Sequence, residues 1–265
     1  MASIINPDEY RVDGEKEALL IGFVVLAFCF LLLAGLSFGL LILGVVIFGA
    51  WVWIQQGQQL GQMVKVSRHQ FDAVYSLGTV AAQRLAMAYQ PVYIYYLGGR
   101  YRAYAIGFLR QRSVVISNAI VDKMAPKEMQ FIIGHELSHI KCGHTDVMVL
   151  TEPGVELLDW LGSILGLFFN RWSQKAEYTC DRGGLLACRD LEAAVAAICK
   201  LTVGPELFKK LNIDKFLEQI DELEKDDVSR ISEFFGTHPY LVRRIKSLQD
   251  FWHSDLYKRL AAKAP

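Results

Sequence analysis

The residues in this chain best suited to chemistry are His135, Glu136 and His139, which stand together as His135-Glu136-Leu137-Ser138-His139. Two histidines four apart on a helix occupy one face, one turn from each other. Their imidazoles can then share one zinc ion. The glutamate beside the first histidine can act as general base toward a water that the metal activates. The chemistry this predicts is peptide-bond hydrolysis with no covalent enzyme intermediate. Glu136 takes a proton as water attacks the scissile carbonyl and then passes one to the leaving amine. The competing reading is a solvated helix that carries two incidental histidines.

Catalytic zinc sites use three protein ligands, so a third is expected downstream on another helix. Glu177 is the best candidate, in Glu177-Tyr178-Thr179-Cys180-Asp181. Asp181 falls on the same helical face one turn later, where a carboxylate could accept the second N–H of a ligand imidazole. An exposed acidic helix surface accounts for the pair equally well. His144 is the rival ligand, five residues after His139 and beyond Gly143. Its spacing points it elsewhere, so it reads as a helix-end or surface histidine. His69 and His253 are isolated and read as surface residues.

The elements that must position these groups follow from the apolar pattern. Pro126 suits a first helical turn, Glu128 follows within it, and Met129, Ile132, Ile133, Leu137 and Ile140 recur at helical spacing up to a stop at Gly143. The motif therefore lies mid-helix with a buried face. Upstream, Ser67 to Tyr89 reads as a helix with Ser67 as N-cap, ended by Pro91. Val92 to Tyr96, Tyr101 to Phe108 and Ser113 to Ser117 read as strands, with turns at Gly98-Gly99 and Arg110 to Arg112. Downstream, Val147 to Phe169 is apolar but carries Glu152, Pro153, Glu156 and Asp159, which suits a core or membrane-dipping helix better than a lipid-facing span. Lys175 to Lys200 reads as one long helix, and Lys209 to Arg230 as a solvated helical arm.

The chain has 265 residues, 28 basic and 28 acidic, so its formal net charge is zero. No basic excess exists to neutralise phosphates, which argues against nucleic acid as a partner. Mean hydropathy is +0.24, and the apolar excess is concentrated in one place. Leu19 to Ile54 contains no charged residue. As one helix this stretch would be about 54 Å long, against a hydrocarbon core of about 30 Å. Two short transmembrane helices joined by a turn at Ala34 to Gly39 fit better, with a single tilted or kinked helix as the alternative. In a hairpin, Arg11 and Lys16 before the stretch and Lys65 and Arg68 after it would place both ends in the cytoplasm. In a single span, an upstream flank dominated by Asp8, Glu9, Asp13, Glu15 and Glu17 would still leave the catalytic part there. Residues 1–62 then form a membrane anchor in the lipid bilayer, and 63–265 a catalytic domain facing the cytoplasm. Five cysteines, Cys29, Cys142, Cys180, Cys188 and Cys199, lack disulfide or zinc-ribbon spacing and read as reduced thiols used in packing. Cys142 and Cys180 fall beside the proposed metal-binding residues, where a redox role is conceivable.

Beyond the membrane stretch, the chain resembles the HtpX-like and CaaX-prenyl-endopeptidase-type family of membrane zinc metallopeptidases. Five ordered segments carry the resemblance: Leu97-Gly98-Gly99 with Tyr101 to Gly107; Val114 to Ser117 with Ile120-Val121; Gly134 to His144; Glu177 to Ala187; and Thr237-His238-Pro239 with Arg244-Ile245. The chain departs from the family's pattern at Gln174, where arginine is frequent, and at Cys180 and Gly184, where alanine is common. The resemblance implies an α+β fold, a mostly helical zincin-like domain with a small β-sheet behind an N-terminal transmembrane hairpin. It also implies one Zn2+ per chain held by His135, His139 and Glu177, with Asp181 orienting a ligand. It places His238 near the substrate as a donor to the oxyanion, and Arg244 as a residue that helps position the site. The expected activity is that of a zinc endopeptidase acting on protein or peptide substrates, in membrane-protein quality control or processing. A zinc-bound, weakly active membrane scaffold or chaperone and a hydrolase of non-peptide substrates are the other readings. An intact Glu136 argues against the scaffold.

Overall fold

A computed structural model of the chain describes residues 6–108, 111–151, 159–220, 223 and 238–263. The first long helix, α1, runs Glu15–Gly61 and is followed by the short strand β1, Val64–Lys65, and helix α2, Asp72–Arg84. Strands β2 (Val92–Tyr95), β3 (Ala103–Phe108) and β4 (Gln111–Ser117) lead into α3, Asn118–Lys123, and α4, Pro126–Lys141. Helices α5 (His144–Thr151), α6 (Asp159–Cys188) and α7 (Leu191–Val203) follow. The short helices α8 (Pro205–Phe208) and α9 (Ile213–Leu217) come before α10 (Leu241–His253) and α11 (Asp255–Lys263).

Helix α4 is the centre of the fold. Pro126 opens it, and the Ala125 amide donates to Glu128 Oε2 at 2.8 Å, so the third residue of the helix caps its entry. Gly143 follows its end with φ +75°, a conformation that disfavours a side chain. Every residue from Glu128 to Ile140 is buried, polar ones included. Removing Phe131, Ile132, Ile133, Leu137 and Ile140 from water contributes on the order of 10 kcal/mol. A helix buried almost all round leaves its histidines little solvent to face.

Helix α6 packs along α4 at unusually close range, because glycines stand where the two meet. A methyl group at Gly134 would lie 2.3 Å from the Ala187 Cβ, and one at Gly184 would lie 2.8 Å from the Phe131 ring. This contact brings Glu177 and Asp181, on preceding turns of α6, alongside the histidines of α4. The single helix expected from Lys175 to Lys200 is instead two. Arg189 adopts φ +55°, and Asp190 caps α7 by accepting from the Ala193 amide at 3.0 Å. The break lets Leu185 to Cys188 and Ala194 to Ile198 share one core.

The sheet has the order β1-β2-β4-β3, with β2 and β4 parallel and the other pairs antiparallel. Val114, Val115 and Ile116 of β4 are fully buried, as a strand covered on both faces requires. The three expected strands are present, and Gly98 and Gly99 both have positive φ at the expected turn. The other expected turn includes Arg110, outside the described residues. The helix expected from Ser67 begins later, at Asp72. Ser67 instead pairs with Gln70 in a tight turn, and Phe71 precedes the helix with φ +60°. The expected arm from Lys209 to Arg230 is described only to 220 and at 223, and includes α9.

Two segments of α1, Glu15–Leu33 and Phe38–Gly61, are each long and apolar enough to cross a membrane. Two apolar segments are thus present, but they are joined through helical backbone rather than the expected turn at Ala34 to Gly39, as in the single-helix alternative. That stretch holds glycine but no proline, so each backbone hydrogen bond can still form at modest propensity cost. Large side chains such as Leu31, Phe38 and Leu40 are exposed along it. The base of α1 is different. Phe23 meets Phe169 of α6 edge-to-face at 5.6 Å, and Tyr10, just before the helix, is buried in the main core. The apolar region from Val147 to Phe169 contributes to this junction: Val147 and Phe169 are buried, while 152–158 lie outside the described residues.

Candidate metal centre

His135 and His139 project from the same face of α4, and their Nε2 atoms lie 3.2 Å apart. Glu177 of α6 completes the triangle, with Oε2 3.7 Å from His135 Nε2 and Oε1 3.5 Å from His139 Nε2. Ligands about 2.0–2.1 Å from a tetrahedral ion stand roughly 3.3–3.4 Å from one another, close to these separations. The chemistry of the donors agrees with the spacing. A neutral imidazole carries one N–H and one lone pair. Each of these two rings has its Nδ1 engaged elsewhere, leaving two Nε2 lone pairs and a carboxylate to converge. All three residues are buried, and they could hold a divalent metal.

The rings are held from behind. His135 Nδ1 lies 3.0 Å from Asp181 Oδ1. Asp181 in turn accepts from Arg244 Nε at 2.8 Å and Nη2 at 2.6 Å. Arg244 Nη1 lies 3.2 Å from Glu177 Oε2, so one guanidinium serves both carboxylates. Burial alone would raise both acids. Arg244 outweighs it, holding Asp181 below the usual carboxylate range and, with the histidines, Glu177 well below it. For Glu136 burial prevails over the nearby histidines and the carboxyl is raised.

These side chains face a cleft of about 290 Å³. One wall is the Tyr101 to Ala105 segment, which leads into β3, and another is apolar, from Phe131, Ile132, Ile198 and Leu201. His238 lines the cleft with its side chain half exposed, Nε2 standing 3.9 Å from Glu177 Oε1. Every residue singled out in sequence for the site, His135, Glu136, His139, Glu177, Asp181, His238 and Arg244, is brought together here. Arg244 meets the carboxylates rather than the open cleft centre. Thr237 lies outside the described residues.

His144 corrects the sequence reading. It is 1% exposed, not a surface histidine, and its Nδ1 lies 3.3 Å from His139 Nδ1. The positive φ of Gly143 turns the chain so that α5 starts at His144 and carries it back against α4. Burial pushes its imidazole down to about 4. Cys180 Sγ lies 3.4 Å from the same Nδ1, and burial raises this thiol well above its ordinary value. His139, His144 and Cys180 thus form a second cluster of metal-capable atoms sharing His139 with the first. Glu15, which sequence reasoning had assigned only to the anchor, is fully buried beside it. The signal available in sequence was a glutamate at the edge of an apolar stretch, separated from the motif by more than a hundred residues. All five cysteines are free, as expected.

The sequence matches Peptidase family M48 over residues 68–169 and 156–251. It is 27% identical over 224 residues to the Plastoglobule-localized metallopeptidase 48, chloroplastic, of Arabidopsis thaliana, covering 78% of this chain and 64% of that protein. It is 22% identical over 191 residues to a Protease HtpX homolog of Bacteroides fragilis, covering 56% and 59% respectively. With the Protease HtpX homolog 2 of Methanosarcina mazei it shares 25% over 187 residues, 56% of this chain and 62% of that one. The chain therefore spans about three fifths of the length of these curated relatives.

Proposed function

The chain belongs to peptidase family M48, and on that premise we propose that it is a membrane-anchored, zinc-dependent endopeptidase. The observation that carries this reading is the convergence of His135, His139 and Glu177 in one cleft with Glu136. Zinc held by these three residues would supply an acidified water and a Lewis acid for a scissile carbonyl. Glu136 takes the proton of the attacking water and returns one to the leaving amine. His238, at the cleft mouth, donates to the oxyanion. Asp181 and Arg244 fix the ring of His135 and the carboxylate of Glu177, so that neither ligand must reorganise during the reaction.

Strand β3 supplies the substrate track. Among the described residues it pairs only with β4, leaving an outer edge on which an extended peptide can add as a further strand. The apolar wall of Phe131, Ile132, Ile198 and Leu201 receives a substrate side chain. We take residues 1–62 as the anchor and 63–265 as the catalytic domain, facing the cytoplasm on the flanking-charge argument. The exposed apolar segments of α1, together with a cleft that can receive extended chain, support a role in membrane-protein quality control or processing.

The test is to strip the detergent-solubilised protein with a chelator and follow cleavage of an unfolded protein and of a simple ester. Loss of internal peptide cuts on stripping, restored by one equivalent of zinc, is the expected result. Unchanged peptide cleavage without metal, or turnover of the ester alone, would contradict it.

A further inference from the structure

The two histidines of the metal triangle are supported in different ways. The second support has no role in the mechanism above. His139 Nδ1 faces His144 Nδ1 at 3.3 Å, and His144 Nε2 faces Glu15 Oε1 at 2.8 Å. Glu15 accepts from Arg11 Nη1 at 2.6 Å and from the Thr179 hydroxyl through its other oxygen. Arg11 also reaches the Cys142 carbonyl at 3.3 Å, and the Val12 amide donates to the Thr179 hydroxyl at 3.1 Å. His139, His144, Glu15 and Thr179 are all buried. Trp172 packs edge-on to the His144 ring at 5.6 Å, restricting its rotation.

Only one placement of hydrogens completes this chain. With the His139 Nε2 lone pair turned to the metal triangle, its one N–H is at Nδ1. That N–H donates to His144 Nδ1, which must then be an acceptor. The remaining N–H of His144 is at Nε2, and it donates to the Glu15 carboxylate. Cys180 Sγ packs against the same nitrogen, His144 Nδ1, at 3.4 Å. The chain ends on Arg11, as the shorter arm from His135 through Asp181 ends on Arg244.

We propose that His144 and Glu15 are positioning residues for the metal ligand His139, so that the first turn of the long apolar helix α1 forms part of the metal centre. The inference rests on the metal-site reading above. Its consequence is that the anchor is more than a tether. A chain whose N-terminal truncation extends into α1 loses Glu15, leaving His144 without its acceptor and His139 without a fixed tautomer. Partners that orient a metal-bound histidine typically contribute 10–100-fold to metal affinity.

The experiment is a chelator-competition titration of zinc, with the visible spectrum of the cobalt-substituted protein, on the full-length chain in detergent. Wild type, Glu15→Ala, His144→Phe, Glu15→Gln and Tyr10→Phe are compared. Expected are a 10–100-fold weaker zinc affinity and an altered cobalt spectrum for Glu15→Ala and His144→Phe. Glu15→Gln, which keeps an acceptor for His144 Nε2, recovers most of the affinity even if the other variants fold poorly. Tyr10→Phe perturbs the same junction, removing its contact with Cys142 Sγ, and leaves both readouts unchanged. Wild-type affinity and spectrum in Glu15→Ala and His144→Phe would overturn the positioning role while leaving the metal site standing. Equal loss in Glu15→Ala and Glu15→Gln, matched by Tyr10→Phe, would reduce it to general packing. A second equivalent of zinc in the wild type, lost in His144→Phe, would assign His144 and Cys180 as ligands instead. No zinc in the wild type would overturn both readings.

Discussion

Helices α1 and α4 invert the usual relation between side chain and surroundings in opposite senses. Along α1, leucine, isoleucine and phenylalanine are exposed from Leu20 to Ile54, over about nine turns. Along α4, two histidines and two glutamates are buried. In an isolated water-soluble protein both arrangements are unfavourable: the first leaves large apolar area in water, the second strips polar groups of their solvent. Each makes sense with a partner that supplies what water would. For α1 that partner is hydrocarbon; for α4 it is a cation. The two helices are linked through Glu15, a buried charge at the base of the apolar one whose partner, His144 of α5, contacts His139 of the polar one.

The comparison is broken most severely by removing a carboxylate from the α4–α6 triangle. Glu177→Ala should weaken zinc binding by more than the 10–100-fold typical of an orienting partner, abolishing hydrolysis, as metal analysis of the purified variant would reveal. Next in size is Arg244→Met, which leaves Glu177 and Asp181 buried without their cation. Breaking a buried ion pair from one side costs about 3–5 kcal/mol, readable as a fall in the denaturation midpoint of the metal-free protein. On the other helix, Leu40→Arg puts a charge on an exposed apolar face. If lipid covers that face, insertion becomes about 2.5–3.5 kcal/mol less favourable, and the membrane-integrated fraction should drop. The smallest effect is expected from Gly134→Ala. Its methyl meets Ala187 at 2.3 Å and should cost about 1–3 kcal/mol by forcing α4 and α6 apart. A coupled loss of zinc affinity there would sharpen the point that helix proximity sets the ligand triangle.

Much of this was legible in sequence because it is local. Pro126 and Gly143 bracket α4, and the spacing of His135 and His139 within it requires only helical geometry. Glu177 and Asp181 could be paired with each other on one face, but not joined to α4 from the residues alone. That join depends on Gly134, Gly183 and Gly184 letting two backbones approach, a property of two helices at once. The break at Arg189 was hidden because alanine and leucine continue on both sides of it. His144 was misplaced by extending α4 past its end. Counting five residues along a continuous helix points the ring away, whereas the left-handed turn at Gly143 brings it back. Glu15 is invisible to any local rule, since only the folded chain brings the start of α1 to α5 and α6. The turn expected at Ala34 to Gly39 came from comparing apolar length with bilayer thickness, whereas helical backbone in that stretch requires only unbroken hydrogen bonding.

The central claim is that the buried polar face of α4 holds a metal used for peptide hydrolysis with Glu136 as base. Its most direct test compares wild type with Glu136→Gln, measuring bound zinc and cleavage of an unfolded protein in the same preparations. One zinc per chain in both, with cleavage reduced by at least about 100-fold in the variant, is the predicted result. Cleavage by Glu136→Gln at the wild-type rate, or wild-type protein that cleaves without bound metal, would contradict it.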